Sequence, residues 1–114
     1  MVTNTIDCGA IILVDLDPTA GHEQGRKRPV IVLSNADYFK INGMAHVLPI
    51  TSKIKGYPFE VPLPATNKTQ GVILADQGRI LDLKARQFKF LETTTEEILE
   101  EARAKCAAVL GITP

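Results

Sequence analysis

Apolar residues along the chain come in short β-branched runs separated by polar turns, and only the C-terminal stretch changes to a helical period. Residues 9–16 and 29–33 are nearly continuous in Ile, Val and Leu, which predicts two strands with both faces covered. Residues 45–50 predict a third strand and residues 58–63 a fourth with alternating character. Pro62 and Pro64 confine that fourth strand to an edge or to its own end, because proline donates nothing to a ladder. Residues 71–76 read as a fifth strand. In residues 87–91, Phe88 and Phe90 alternate with polar neighbours, as in a strand or a strand end. Residues 82–86 stay ambiguous, with one helical turn among the readings.

The connections carry their own signals. Residues 35–41 fit a short helical turn, capped by Ser34 and ended by Asn42-Gly43. Polar turns are expected at residues 53–57 and 65–70, and a poorly ordered start over residues 1–8. Near the end, Thr94 and Glu97 form the spacing of a capping box. Leu99, Ala102, Cys106, Val109 and Leu110 follow on one stripe, with glutamates on the opposite face and Gly111 as terminator. Several short strands and one such helix predict a mainly β fold, a small and mostly antiparallel barrel with a C-terminal α-helix packed on it.

Length and composition narrow the class. The 114 residues are expected to form one domain, 1–114, large enough to bury a core without staples. No charge-free apolar run approaches the roughly 18 residues of a membrane span. The N-terminus lacks the basic-then-apolar order of a secretory signal, so the expected location is cytoplasmic, with no membrane partner. Cys8 and Cys106 show neither metal-ligand spacing nor a disulfide framework.

Charge changes the picture only through its distribution. The formal net charge is zero. Basic residues nevertheless gather at Arg26, Lys27, Arg28, Lys53, Lys55, Lys84, Arg86 and Lys89, while acids gather at Glu92, Glu96, Glu97, Glu100 and Glu101. A positive face and a negative one are compatible with that pattern, and the local field decides whether a phosphate chain binds.

The long connection between the first two strands opens with Asp17-Pro18 and carries Gly21 and Gly25. A connection of that length is usually functional or disordered. It places His22 and Glu23 close in sequence to Arg26, Lys27 and Arg28, and Pro29 biases Arg28 toward an extended conformation. Cleaving RNA without a metal needs a base for the 2′-hydroxyl, an acid for the leaving 5′-oxygen, and positive charge on the phosphorane. Glu23 suits the base and the forked guanidinium of Arg28 suits the phosphate. The plain alternative is a salt bridge within the loop. His22 has an unperturbed pKa near neutrality and takes an auxiliary role. Thr51 and Ser52 close the third strand, where their hydroxyls equally suit a strand-end cap. Asp76 after the fifth strand equally suits an Asx turn. Arg86, Lys53 and Lys55 are candidate phosphate contacts. Walker loop, zinc set and dinucleotide fingerprint are all absent. His22 and His46 are the only histidines, too few for a multi-histidine metal centre; no cofactor is expected.

Gly21-His22-Glu23-Gln24, followed by Arg28-Pro29-Val30-Ile31-Val32-Leu33-Ser34, resembles the signature loop of the MazF/PemK family of toxin endoribonucleases. Leu48-Pro49-Ile50-Thr51-Ser52, Gly56-Tyr57-Pro58-Phe59-Glu60-Val61, Val72-Ile73-Leu74-Ala75-Asp76-Gln77 and Asp82-Leu83-Lys84-Ala85-Arg86 extend the likeness in order. It covers about residues 9–111. The resemblance implies an SH3-like barrel that forms a homodimer. It also implies the toxin half of a toxin–antitoxin pair, a sequence-selective, metal-independent endoribonuclease on single-stranded RNA. The products would be a 2′,3′-cyclic phosphate and a 5′-hydroxyl, and the inhibitor an antitoxin with a disordered tail.

By the same likeness Thr51 joins Glu23 and Arg28 as catalytic. Candidate substrate contacts are His22, Gln24, Lys27, Ser52, Lys53, Lys55, Phe59, Asp76, Gln77 and Arg86. Some relatives pair the acidic position of Asp76 with an arginine two residues earlier; this chain has Leu74 there, which makes Asp76 substrate-proximal rather than catalytic. Two rival readings remain. A gyrase-poisoning protein of the CcdB family shares the barrel but depends on a C-terminal Trp-Gly-Ile. Here Leu110-Gly111-Ile112 keeps the last two of those residues, but the chain contains no tryptophan. A noncatalytic SH3-like RNA-binding module would keep the basic face and tolerate loss of Glu23.

Overall fold

The computed structural model describes residues 6–16 and 27–112. Its first strand, β1 (Ala10–Asp15), pairs antiparallel with β2 (Lys27–Val32). A short helix, α1 (Ala36–Asn42), leads into the longest strand, β3 (Met44–Thr51). Then come β4 (Glu60–Pro62), β5 (Val72–Leu74), β6 (Arg79–Asp82) and β7 (Phe88–Thr93), and α2 (Glu96–Val109) closes the chain. The strands form one seven-stranded antiparallel sheet in the order β4-β5-β3-β2-β1-β7, with β6 also on β3.

β3 is the hinge of this arrangement. One of its edges pairs with β2, while the other pairs with β6 over residues 44–47 and with β5 at Ile50 and Thr51. The path runs from β4 to β7 and does not close, so the closed barrel expected from the sequence is an open sheet. Its β4 end is a three-residue strand containing Pro62, and a proline offers the next strand no donor.

Alternation along β1 to β3 sends side chains to two cores. Ile12, Val14, Val30, Val32, Ala45 and Val47 pack on one face with Leu81, Leu83 and Phe39 of α1. Ile11, Ile31, Leu48 and Ile50 pack on the other with β4, β5 and α2, through Val61, Ile73 and Ala102. Both faces are covered, which is why these strands read as unbroken apolar runs. Each buried Val, Leu or Ile contributes about 1.5–3 kcal/mol.

Several caps and boundaries differ from expectation. Asn35, not Ser34, caps α1 by accepting from the Tyr38 N–H; the Ser34 hydroxyl instead accepts from the His46 N–H at 2.9 Å. Thr95, not Thr94, caps α2 by accepting from the Ile98 N–H. Thr94 is turned inward, where its hydroxyl accepts from the Asn67 side-chain amide at 3.3 Å. Burial therefore decides among three successive threonines. Leu99 and Ala102 are buried as predicted, and Cys106 packs against the second core. Val109 and Leu110, predicted on the same stripe, are exposed instead. Gly111, at φ 78°, ends α2 in a Schellman motif, with Ile112 N–H donating to Ala107 C=O. The ambiguous residues 82–86 hold the end of β6 and a turn, not a helix.

Candidate active site

The register of the sheet builds the site. Val14 stands opposite Arg28 on one side of β2, and the pairs Val30–Pro49 and Val32–Val47 align β2 with β3 on the other. The β2–β3 pairing ends at Val30–Pro49; two residues further along the same register, Arg28 would fall opposite Thr51. Directly opposed side chains on antiparallel strands share a face, with Cβ atoms about 5 Å apart. The alternation agrees, since Val30 and Val32 on β2 and Ala45 and Val47 on β3 all belong to the first core. At this end of the sheet the apolar row runs out, and Arg28 is exposed where the core residues stop.

Thr51 also opens onto a cleft of about 130 Å³. Lys53, Lys55, Tyr57, Leu74 and Gln77 form its walls, with Glu60 at its base. The Thr51 hydroxyl accepts from the Lys53 N–H at 3.1 Å, which turns the chain out of β3 and sends both lysines along the cleft. Glu60 is buried to 5 % exposure. Its two carboxylate oxygens accept from the N–H groups of Lys55 at 3.1 Å and Gly56 at 3.0 Å. Tyr57 keeps 58 % of its surface exposed at the rim. A hydroxyl, two ammonium groups and an aromatic ring face one groove. That is a donor-rich, cationic surface suited to a phosphate chain. Among the described residues no three His, Cys, Asp or Glu side chains come together as a metal site.

The sequence profile of the PemK-like, MazF-like toxins of type II toxin–antitoxin systems matches residues 7–110. The chain belongs to this family. It is similar to the endoribonuclease toxin MazF of Escherichia coli (strain K12), with 41 % identity over 105 residues, covering 92 % of this chain and 94 % of that one. Among solved structures, MazF from Deinococcus radiodurans superposes with a TM-score of 0.84 at 43 % identity, over 93 % of this chain and 96 % of that one. The MazE–MazF complex from the same organism matches with a TM-score of 0.83 at 37 % identity, over 94 % and 96 % of the respective chains.

Within this family framework, the candidate residues separate. Thr51, Lys53, Lys55 and Gln77 meet in the cleft, and Ser52 is exposed between them. Lys27 is exposed at the start of β2, beside Arg28. Asp76 faces away, into a second cavity of about 210 Å³ with His46, Gly78, Cys106, Val109 and Leu110. Phe59 packs against the second core rather than into the cleft. Arg86 is tied down: its Nη1 donates to the Asp15 carbonyl at 2.7 Å, at the end of β1. Its Nε is buried without a hydrogen-bond partner among the described residues. His22, Glu23 and Gln24 lie outside the described residues.

Sequence reasoning passed over Glu60 and Tyr57 as site residues. The signal for Glu60 was present, because a carboxylate inside an alternating strand is rarely buried unless it is paired. Among the described residues one carboxyl has a displaced pKa, Glu92 on β7. Burial pushes it up, but the N–H groups of Thr69 and Lys68 and the Thr69 hydroxyl outweigh burial and hold it below its ordinary value. That contact fastens the turn at residues 65–70 and lies outside the cleft.

Proposed function

We propose that this chain is the toxin of a type II toxin–antitoxin pair and an endoribonuclease that cuts single-stranded RNA without a metal, so stopping translation. The observation that carries the reading is the cleft lined by Thr51, Lys53, Lys55 and Tyr57, toward which the β2–β3 register runs at the end of the sheet that carries Arg28. The family match supplies the reaction class.

In this mechanism RNA lies along Lys53 and Lys55, with a base against the exposed ring of Tyr57. Glu23 takes the proton from the 2′-hydroxyl, whose oxygen attacks the adjacent phosphorus. Arg28 holds two phosphate oxygens through its fork, and the Thr51 hydroxyl donates a further hydrogen bond. The bond from phosphorus to the 5′-oxygen breaks, and that oxygen takes a proton. The products are a 2′,3′-cyclic phosphate and a 5′-hydroxyl. His22, Gln24, Lys27, Ser52 and Gln77 supply auxiliary contacts.

MazF of Deinococcus radiodurans has been solved with MazE, and by that likeness this chain binds an antitoxin whose acidic tail neutralises the cleft. A homodimer covers the apolar surface at the end of α2, where Val109, Leu110 and Ile112 are exposed. No helix among the described residues is long and apolar enough to cross a membrane, and the proposed site of action is the cytoplasm. The gyrase-poisoning reading is not favoured, since the family match is to PemK and MazF and the chain has no tryptophan.

The test is cleavage of a mixed-sequence RNA in excess EDTA, with the new ends mapped. Cutting that leaves 2′,3′-cyclic phosphates supports the reading. Cutting that stops in EDTA and returns with Mg²⁺ overturns the mechanism.

A further inference from the structure

Among the described residues Glu60 is the one buried acid that lines the cleft, and its carboxylate binds the loop that forms the cleft wall. Its oxygens take two successive N–H groups, Lys55 by Oε2 and Gly56 by Oε1. Successive N–H groups turned to one side make an anion-binding nest, and here the anion is the protein's own side chain. Gly56 makes this possible with φ of 81°, a left-handed conformation that a side-chain-bearing residue resists. Backbone N–H of Glu60 also donates to Tyr57 C=O at 3.1 Å, closing residues 57–60 into a turn. Behind the loop, Lys105 of α2 donates to the Glu60 carbonyl at 2.8 Å and pairs with Glu101 at 3.2 Å.

The segment from Lys53 to Tyr57 has no ladder bonds of its own. Without Glu60, its shape is set only by Thr51 at one end and by β4 at the other. We propose that Glu60 is a positioning residue for RNA binding: its carboxylate fills the Lys55–Gly56 nest and so holds Lys53, Lys55 and Tyr57 in the pose that receives the RNA strand. This rests on the endoribonuclease reading above. It assigns Glu60 to binding and not to proton transfer, because both its oxygens are engaged inside the loop. A second consequence concerns anions. With the nest already filled, the Lys55–Gly56 backbone offers no phosphate site, and this loop meets RNA phosphates through its side chains.

The experiment uses the intact protein and two probes. One is a mixed-sequence RNA; the other is the same sequence 2′-O-methylated throughout, which binds but has no 2′-hydroxyl to attack. Glu60→Ala leaves two N–H groups without their partner and should weaken probe binding roughly tenfold. At saturating RNA its kcat should stay within about twofold of wild type, since a binding contact made equally in the bound state and the transition state changes affinity and not kcat. Gly56→Ala is the independent variant. An added Cβ there meets no atom within 4 Å, so any effect comes from the backbone conformation and not from a clash. It should also weaken binding with kcat held, and it decides the matter alone if Glu60→Ala fails to fold. Unchanged probe affinity in Gly56→Ala and in a folded Glu60→Ala overturns the proposal, as does a kcat loss as large as the affinity loss. Failure of the wild-type protein to cut RNA overturns the endoribonuclease reading instead, while the probe still reports whether Glu60 sets affinity.

Discussion

Two cavities flank the turn after β5, and neighbouring residues divide between them. Gln77 faces the cleft of about 130 Å³ with Thr51, Lys53 and Lys55. Asp76 faces the larger one, about 210 Å³, with His46, Cys106, Val109 and Leu110. Size would favour the second as a binding site. Chemistry favours the first, because its walls offer two ammonium groups, a hydroxyl and an aromatic ring to a polyanion, whereas the second offers one imidazole, an acid and apolar surface. The smaller cavity also lies at the end of β3 toward which the β2–β3 register runs, the end of the sheet that carries Arg28. Function follows the lining and its neighbours here, not the volume.

The largest expected effect falls beside the small cleft. Arg28→Ala should lower single-turnover cleavage by roughly 10²–10³-fold, the scale of losing one transition-state donor. Its affinity for uncleavable RNA should fall far less, because binding is spread over several cations. Thr51→Ala should follow at about tenfold in cleavage, near the value of one hydrogen bond to a charged group. Thr51→Ser keeps the hydroxyl and should recover most of the rate; if it does not, the methyl group and not the hydroxyl is what matters.

Smaller effects sharpen the contrast. Lys53→Ala and Lys55→Ala should each cut affinity a few-fold and reduce the salt dependence by about 0.7 in log–log slope, one single-strand phosphate contact apiece. An unchanged slope would remove that lysine from the RNA path. The smallest difference lies across the turn itself: Gln77→Ala should weaken RNA binding more than Asp76→Asn. The reverse order, read by the same binding titration, would move the RNA into the larger cavity.

Much of the fold was legible because β1, β2 and β3 are covered on both faces, and such strands appear as unbroken Ile and Val runs. β6 was not. Of Arg79–Asp82 only Leu81 is buried, and Ile80 is exposed, so neither an apolar run nor an alternation marks it. The cap of α2 was misplaced by one residue since Thr94 and Thr95 are chemically equivalent, and only the contact with Asn67 separates them. The site shows the same division. Arg28 and Thr51 stand out by residue type and family likeness, but their proximity depends on the β2–β3 register, which no spacing in the chain reveals. Arg86 reads as a surface cation until its bond to Asp15 is seen. Asp76 and Gln77 read as a pair until the turn at residues 75–78 sends them into different cavities.

Arg28→Lys tests the central claim most directly. Lysine keeps the positive charge at the mouth of the cleft but lacks the planar pair of donors that fits two phosphate oxygens. Single-turnover cleavage and equilibrium binding are measured on matched cleavable and 2′-O-methylated oligonucleotides, in EDTA. Near-wild-type binding with strongly impaired cleavage is the predicted result. Cleavage at the wild-type rate would contradict it, and would make Arg28 one more cation in the patch.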